Sequence, residues 1–506
     1  MSWVSLRGRM IRGTAYSLTA IVVSKLAYAL NSVVVSRMLG SENLGVLVIL
    51  WNVLALAGIF ATCGMPAAVV KLTAERGLSD PFAASEIVSA SLLITAVSAT
   101  ATGVIVILFS PLIASTLYQE PSLAWLIPIG VVALVVSSVP APAFALFQGF
   151  QKIRELNLRG MLYSIISVVL MIAFVWRLNL FGAAIAGVVI AFANVLINLQ
   201  LLRSIWTKAK LSLRWPSQRT TFRSVGRLGS GFVASNVAVM AATFAGSTIL
   251  VTTRSFQDLG YFSIALALAG YLTFIPTAIG VPMVPAVSEA YAGTEDKLAP
   301  FVTKTLRLVA LGVLPPAFLL QFLAVPVVGI LYGSEYASAT GLVVWMAAGA
   351  YMISLASVVG FAILGVGDVW SGIGLNAVWG ASYVGFAAFL VGGYGSLGLT
   401  VAFILAYGCL LGGALWYARR HLRIRGQDVV PPVALGLAIL GAGIVMQAYV
   451  DDRLRIAVGL TGAGILTLVG WKWLSRQEKA ILLAAMKSIR SKVWRPHSDH
   501  ERSDPK

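Results

Sequence analysis

Charge is what this chain has least of: only 11% of its 506 residues are charged, against roughly 25% in a soluble globular protein. Too few polar side chains exist to cover a water-soluble body of that length. With 58% hydrophobic residues and a mean hydropathy of +0.89, disordered, collagenous and coiled-coil classes are excluded too. Cysteine is nearly absent, and Cys63 and Cys409 both sit in apolar stretches, which excludes a disulfide scaffold and any metal-ligand spacing. The three histidines are His421 in a basic loop and His497 and His500 in the tail, so none can act within an apolar span. All 19 carboxylates fall in loops, tails or span ends, with Glu86 and Glu289 nearest to lipid depth. A proton- or sodium-coupled antiporter carries its ion on a buried acid, and none is visible. No nucleophile elbow, phosphate-binding loop, HExxH or paired-carboxylate motif occurs. The chain reads as no enzyme and needs no cofactor and no metal.

What the chain has is apolar length. Stretches long enough to cross a bilayer fall near 14–36, 43–65, 85–110, 123–147, 158–176, 180–203, 227–252, 260–287, 303–325, 339–364, 369–391, 397–418, 431–450 and 455–474. The period-2 pattern of a membrane barrel is absent, so the spacing predicts an all-α polytopic membrane protein of about fourteen helices. With the amino terminus in the cytoplasm, 31 of the 37 Lys and Arg residues fall on that side. Arg37, Arg177, Arg254, Arg453 and Arg455 fall outside, and Lys25 alone lies within a span. This asymmetry supports fourteen spans, both ends inside, in a cell membrane. It also accounts for most of the net charge of +18, which would otherwise point to nucleic acid; no nucleic-acid partner is expected. Between Gln477 and Trp494 a basic amphipathic helix is expected on the inner leaflet.

The sequence repeats itself. Asn43-Leu44-Gly45 matches Asp258-Leu259-Gly260 at an offset of 215, and Gly64-Met65-Pro66 matches Gly280-Val281-Pro282 at 216. Glu75 matches Glu289, Leu117-Tyr118 matches Leu331-Tyr332, and Phe181-Gly182 matches Tyr394-Gly395 at 213. Five matches in order predict two six-helix lobes related by a parallel pseudo-two-fold axis. The expected divisions are 1–222, 223–425, two extra C-terminal helices over 426–475, and a cytoplasmic segment over 476–506.

The first span carries a polar stripe: Thr14, Ser17, Ser24, Lys25, Tyr28, Asn31, Ser32 and Ser36 fall within an arc of about 140°. Lys25 is roughly 18–20 Å from either end of the span, too deep to snorkel. A charge there costs about 2.5–3.5 kcal/mol unless it meets water or a partner. It either pairs with a neighbouring helix's carbonyls or binds an anion from a cavity, together with Tyr28 and Asn31. The seventh span has a weaker stripe with Asn236 and Thr243, which reads as helix packing or as further substrate contacts. Pro276, Pro282 and Pro285 in the eighth span and Pro315-Pro316 in the ninth predict kinked or broken helices.

The run Met38-Leu39-Gly40-Ser41-Glu42-Asn43-Leu44-Gly45, then Gly64-Met65-Pro66 and Ala74-Glu75, resembles the opening of the polysaccharide-synthesis flippases. These belong to the multidrug/oligosaccharidyl-lipid/polysaccharide exporter superfamily. Phe147-Gln148-Gly149 and Leu331-Tyr332-Gly333 fit as well, and the likeness covers about 1–425. It implies two six-helix lobes in a V that carry a polyprenyl-(pyro)phosphate-linked oligosaccharide from the inner to the outer leaflet. Cationic cavities are common in the family, which Lys25 matches. Arg154 and Arg159 are then expected to guide the substrate in, and Arg37 and Arg254 to flank the outer mouth. Membrane lipids and glycosyltransferases or a polymerase of the same pathway are the implied partners. A multidrug or small-metabolite exporter and a non-transporting scaffold for glycan enzymes are the rival readings.

Overall fold

The computed structural model describes residues 3–77, 80–150, 152–208, 211–212, 219–293, 298–447, 449–474 and 479. The amphipathic segment expected in the tail and the side chains of Thr14 and Ser17 lie outside what is described. Among the described residues the secondary structure is helical throughout. Three helices are far too long for one crossing: α1 (Trp3–Thr62), α6 (Ile153–Lys208) and α12 (Val369–His421), of 60, 56 and 53 residues. A straight helix of that size would span about 80–90 Å, against about 30 Å of hydrocarbon. Each is broken by one residue with positive φ: Gly40, Asn179 and Gly395. The breaks reverse the chain. Lys25 and Trp51 line one cleft, although 26 residues of straight helix would hold them about 39 Å apart. A Cβ on Gly182 would lie 2.1 Å from the Phe174 carbonyl oxygen, eight residues back, and one on Gly398 would lie 2.3 Å from that of Leu390. Residues eight apart on a straight helix are about 12 Å apart.

The remaining helices are α2 (Met65–Leu72), α3 (Pro81–Leu112), α4 (Leu123–Ser138), α5 (Ala141–Gly149), α7 (Arg219–Thr253), α8 (Phe256–Leu272), α9 (Phe274–Gly293), α10 (Leu298–Leu331), α11 (Ala339–Val366), α13 (Gly426–Met446) and α14 (Asp452–Trp473). Ten helices are long and apolar enough to cross a membrane, and α8 with α9 form an eleventh, bent by 44°. Doubling the three broken helices gives fourteen crossings among the described residues. The proline expectations divide. Pro276 cannot donate to Leu272, and the chain breaks at Thr273; Pro315 and Pro316 sit inside an unbroken α10.

The duplication shows in the backbone. Asn179 (φ 49, ψ −131) and Gly395 (φ 56, ψ −133) have nearly the same conformation at an offset of 216, as do the close glycine approaches at Gly182 and Gly398. This corrects the fifth sequence match: Phe181-Gly182 pairs with Leu397-Gly398, and Tyr394-Gly395 is out of register by three. Asn and Gly both tolerate positive φ, so the turn persists where the residue identity changed.

One continuous apolar core runs through both halves, from Leu47, Val131 and Val175 to Leu259, Val343 and Trp379. A second core joins α10, α11 and α12 to α13 through residues such as Val309, Tyr351 and Leu440. Gln321 of α10 fastens α13, its Nε2 donating to the carbonyls of Val344 and Leu440 at 3.1 Å each. At the α11–α12 turn Asp368 caps α12; the Ser371 hydroxyl donating to it, and Tyr417 beyond, hold its carboxyl below the ordinary carboxylate range.

The shared turn conformation is one that glycine adopts freely and asparagine only with strain. Asn179→Gly is expected to raise the thermal midpoint of the detergent-purified chain. Gly395→Ala, whose Cβ would find only ordinary contacts, is expected to lower it by the equivalent of about 1–3 kcal/mol, the cost of the backbone alone.

Candidate functional site

Folding α1 back at Gly40 brings the polar stripe against α8 and forms a cleft of about 430 Å³ at the boundary between the two halves. Lys25, Tyr28, Asn31, Ser32 and Ser36 line it from the first half of α1, and Val48 and Trp51 from the second. Ser263, Ala267, Gly270 and Tyr271 face them from α8. Lys25 is the one charged residue of this lining, and no carboxylate joins it. Lys25 and Tyr28 are exposed, Tyr28 to 59%. Deeper in, the Asn31 Oδ1 and the Tyr271 hydroxyl are buried with no hydrogen-bond partner. Such groups cost about 1–3 kcal/mol each when unmatched. The cleft thus offers an ammonium, two unsatisfied polar groups and aromatic faces: chemistry suited to an anionic, hydroxyl-bearing guest.

Other predicted residues lie elsewhere. Asn236 and Thr243 on α7 are outside this lining, and each donates to a carbonyl of its own helix, Phe232 at 2.8 Å and Val239 at 2.9 Å. Arg154 is exposed near the start of α6, and Arg159 donates across to the Ile197 carbonyl. Arg37 holds the Ile330 carbonyl of the other repeat half, and Arg254 holds the Gly392 carbonyl of its own half, at 2.5 Å each. These carbonyls belong to final helical turns, where a cation also complements the helix dipole. The α8 wall was missed from sequence. Its signal was the small-residue face of Ser263, Ala267 and Gly270 at i, i+4 and i+7, with Tyr271 beside it.

The end of the bundle holding Arg37 and Arg254 is sealed by the repeat itself. A Cβ on Gly45 would lie 1.9 Å from the Phe256 carbonyl oxygen, and one on Gly260 would lie 2.0 Å from that of Ser41. Gly45 and Gly260 are 215 apart, and so are Ser41 and Phe256. The contact is therefore reciprocal across the pseudo-two-fold axis, as in an isologous interface. Around it Glu335 Oε1 accepts from the Ser41 amide at 2.6 Å and the Ser41 hydroxyl at 2.9 Å. Tyr336 donates to the Ser36 carbonyl at 2.8 Å. The opposite, basic end also brings the halves together, through Gly64 against Gly229 and Thr221 donating to Glu86 at 3.2 Å.

Among solved structures the chain is similar to the lipid II flippase MurJ in an inward closed conformation, with a TM-score of 0.72 and 14% identity over 90% of this chain and 98% of that one. It is also similar to an inward-facing multidrug resistance MATE transporter (0.58, 16% identity, 84% and 98% covered). The MATE transporter VcmN of Vibrio cholerae in its bent form is a further likeness (0.57, 12% identity, 83% and 97% covered). At these identities the likeness establishes the fold. A search of curated proteins finds no match in sequence.

If Glu335 latches the sealed end, Glu335→Ala is expected to widen the distance distribution between spin labels at positions 42 and 338, shifting closed to open by about tenfold. An unchanged distribution would show that the glycine crossing alone holds the seal. Residues 34–340, more than half of the chain, match the family described as "Polysaccharide biosynthesis protein", and the chain belongs to that family.

Proposed function

We propose that this protein is a flippase for a polyprenyl-(pyro)phosphate-linked oligosaccharide, working by alternating access in a cell membrane with its basic end in the cytoplasm. The observation that carries this reading is Lys25 in an acid-free cleft beside the unpartnered Asn31 and Tyr271. The phosphate pairs with the Lys25 ammonium; the Asn31 carbonyl oxygen accepts from a sugar hydroxyl, and the Tyr271 hydroxyl donates to or accepts from one. Tyr28 and Trp51 supply the flat apolar faces that pack against a sugar ring. Because the cleft lies between α1 and α8, the lipid tail can stay in the bilayer while the head group occupies the site.

The lobes 1–222 and 223–425 would then rock about the two seals. Parting at Gly64 and Gly229 admits the head group, guided by Arg154 and other cations of the basic end. Parting at Gly45 and Gly260 releases it. No coupling cation is required. Moving two negative charges outward down an inside-negative potential of 100 mV gains about 4.6 kcal/mol. Consumption of the product outside by a polymerase or transferase of the same pathway adds to that. The superfamily's multidrug reading is disfavoured because no carboxylate lines the cleft.

Lys25→Ala is expected to lower transport of a fluorescent lipid-pyrophosphate glycan in proteoliposomes by about 10- to 100-fold, the worth of one charge-assisted pairing. Lys25→Arg should retain most of it. Unchanged transport by Lys25→Ala at normal protein level would remove this residue from the mechanism, and abolition by collapsing only a proton or sodium gradient would argue for a coupled exporter.

A further inference from the structure

We infer that the cationic hollow where α10, α12 and α13 meet at the basic end binds the phosphate head group of an anionic membrane phospholipid. Two adjoining hollows, of about 460 and 780 Å³, share Arg423 and Arg425. The first adds Lys304, Arg307 and Asp428, and the second adds Arg419. Five cations thus converge around a single acid. A preference for cations on one side of a membrane explains their presence at this end, but not their gathering in one concavity.

The loop is built to present them. Leu422 and Ile424 are buried at 3% and 5% exposure, which pins the chain and leaves the intervening Arg423 and Arg425 exposed. Arg423 is held at φ 52, a conformation an L-residue with a long side chain keeps only where its surroundings impose it. The level is that of the head groups. Lys304 and Arg307 lie about 9 and 13 Å along α10 from its first residue, and Arg307 donates to the Trp473 carbonyl at the end of α14. Exposed Trp416, Trp471 and Trp473, with the Arg420 guanidinium 5.6 Å above the Trp416 ring, mark the interfacial belt where tryptophan gathers. A phosphate at that depth, beside α13 and α14, is most simply a lipid's.

The test uses the full chain in nanodiscs of mixed phosphatidylglycerol and phosphatidylcholine, with retained lipid counted by native mass spectrometry. Wild type is expected to keep phosphatidylglycerol selectively. The double variant R423Q/R425Q should lose that preference by about 30-fold, each basic side chain at an anionic surface being worth about a factor of five. Lys304→Gln, on a separate helix, should lose about fivefold, which keeps the test valid if the loop variant fails to fold. R203Q/R227Q, equal in charge but outside the hollow, should keep the preference. An equal loss in R203Q/R227Q, or none in R423Q/R425Q and Lys304→Gln, would overturn the proposal. Displacement of the lipid by excess inorganic phosphate would assign the hollow to a soluble anion and overturn it as well.

Discussion

Two glycines at the pseudo-two-fold axis set the frame for everything else. Gly45 and Gly260 let α1 and α8 cross with their backbones in contact, each glycine against the carbonyl of the other's repeat half. Any side chain there would force the halves apart by ångströms. With the crossing in place, the first half of α1 lies along α8, and a stripe that would otherwise meet lipid faces a polar cleft. The seal and the cleft are therefore consequences of one backbone contact, reinforced by Glu335 and Tyr336 from the turn after α10.

That arrangement relieves the cost of Lys25. An ammonium buried midway along a span is tolerated when it faces water or a partner, and the cleft gives it an exposed position with unsatisfied polar neighbours. Two weak features then gain a common purpose. On the proposed function, the sealed end would keep a bound anion from leaking back across a site with no compensating acid, and the lateral position between α1 and α8 would let a long lipid tail remain outside. Glycine contacts at both ends suit a rocking motion, because backbone surfaces part without unthreading interdigitated side chains.

Much of the fold was legible in the sequence because hydropathy and charge asymmetry are consequences of the bilayer, not of particular neighbours. Fourteen apolar stretches became fourteen crossings, and Asn43-Leu44-Gly45 with Asp258-Leu259-Gly260 turned out to be the crossing itself. What was less legible depends on backbone angles or on packing partners. The hairpins at Asn179 and Gly395 share a conformation and not a residue, so matching identities misaligned them by three. Of the polar stripes, that of span 1 lines the cleft from Lys25 to Ser36, with Ser24 meeting Ser164 of α6 instead, while Asn236 and Thr243 turn their hydrogen bonds back on α7. The wall opposite Lys25 is made by small residues and Tyr271 of α8, whose significance appears only once the helix opposite is known.

The central claim is that Lys25 faces a cleft that opens to the basic end when Gly64 and Gly229 part, while the Gly45–Gly260 seal stays closed. Cysteine at position 25, in a chain carrying Cys63→Ala and Cys409→Ser, can be probed with a membrane-impermeant thiol reagent in oriented proteoliposomes. The account requires modification from the basic side and protection from the opposite side. Reaction only from the opposite side, or none from either side when the denatured control reacts fully, would contradict it.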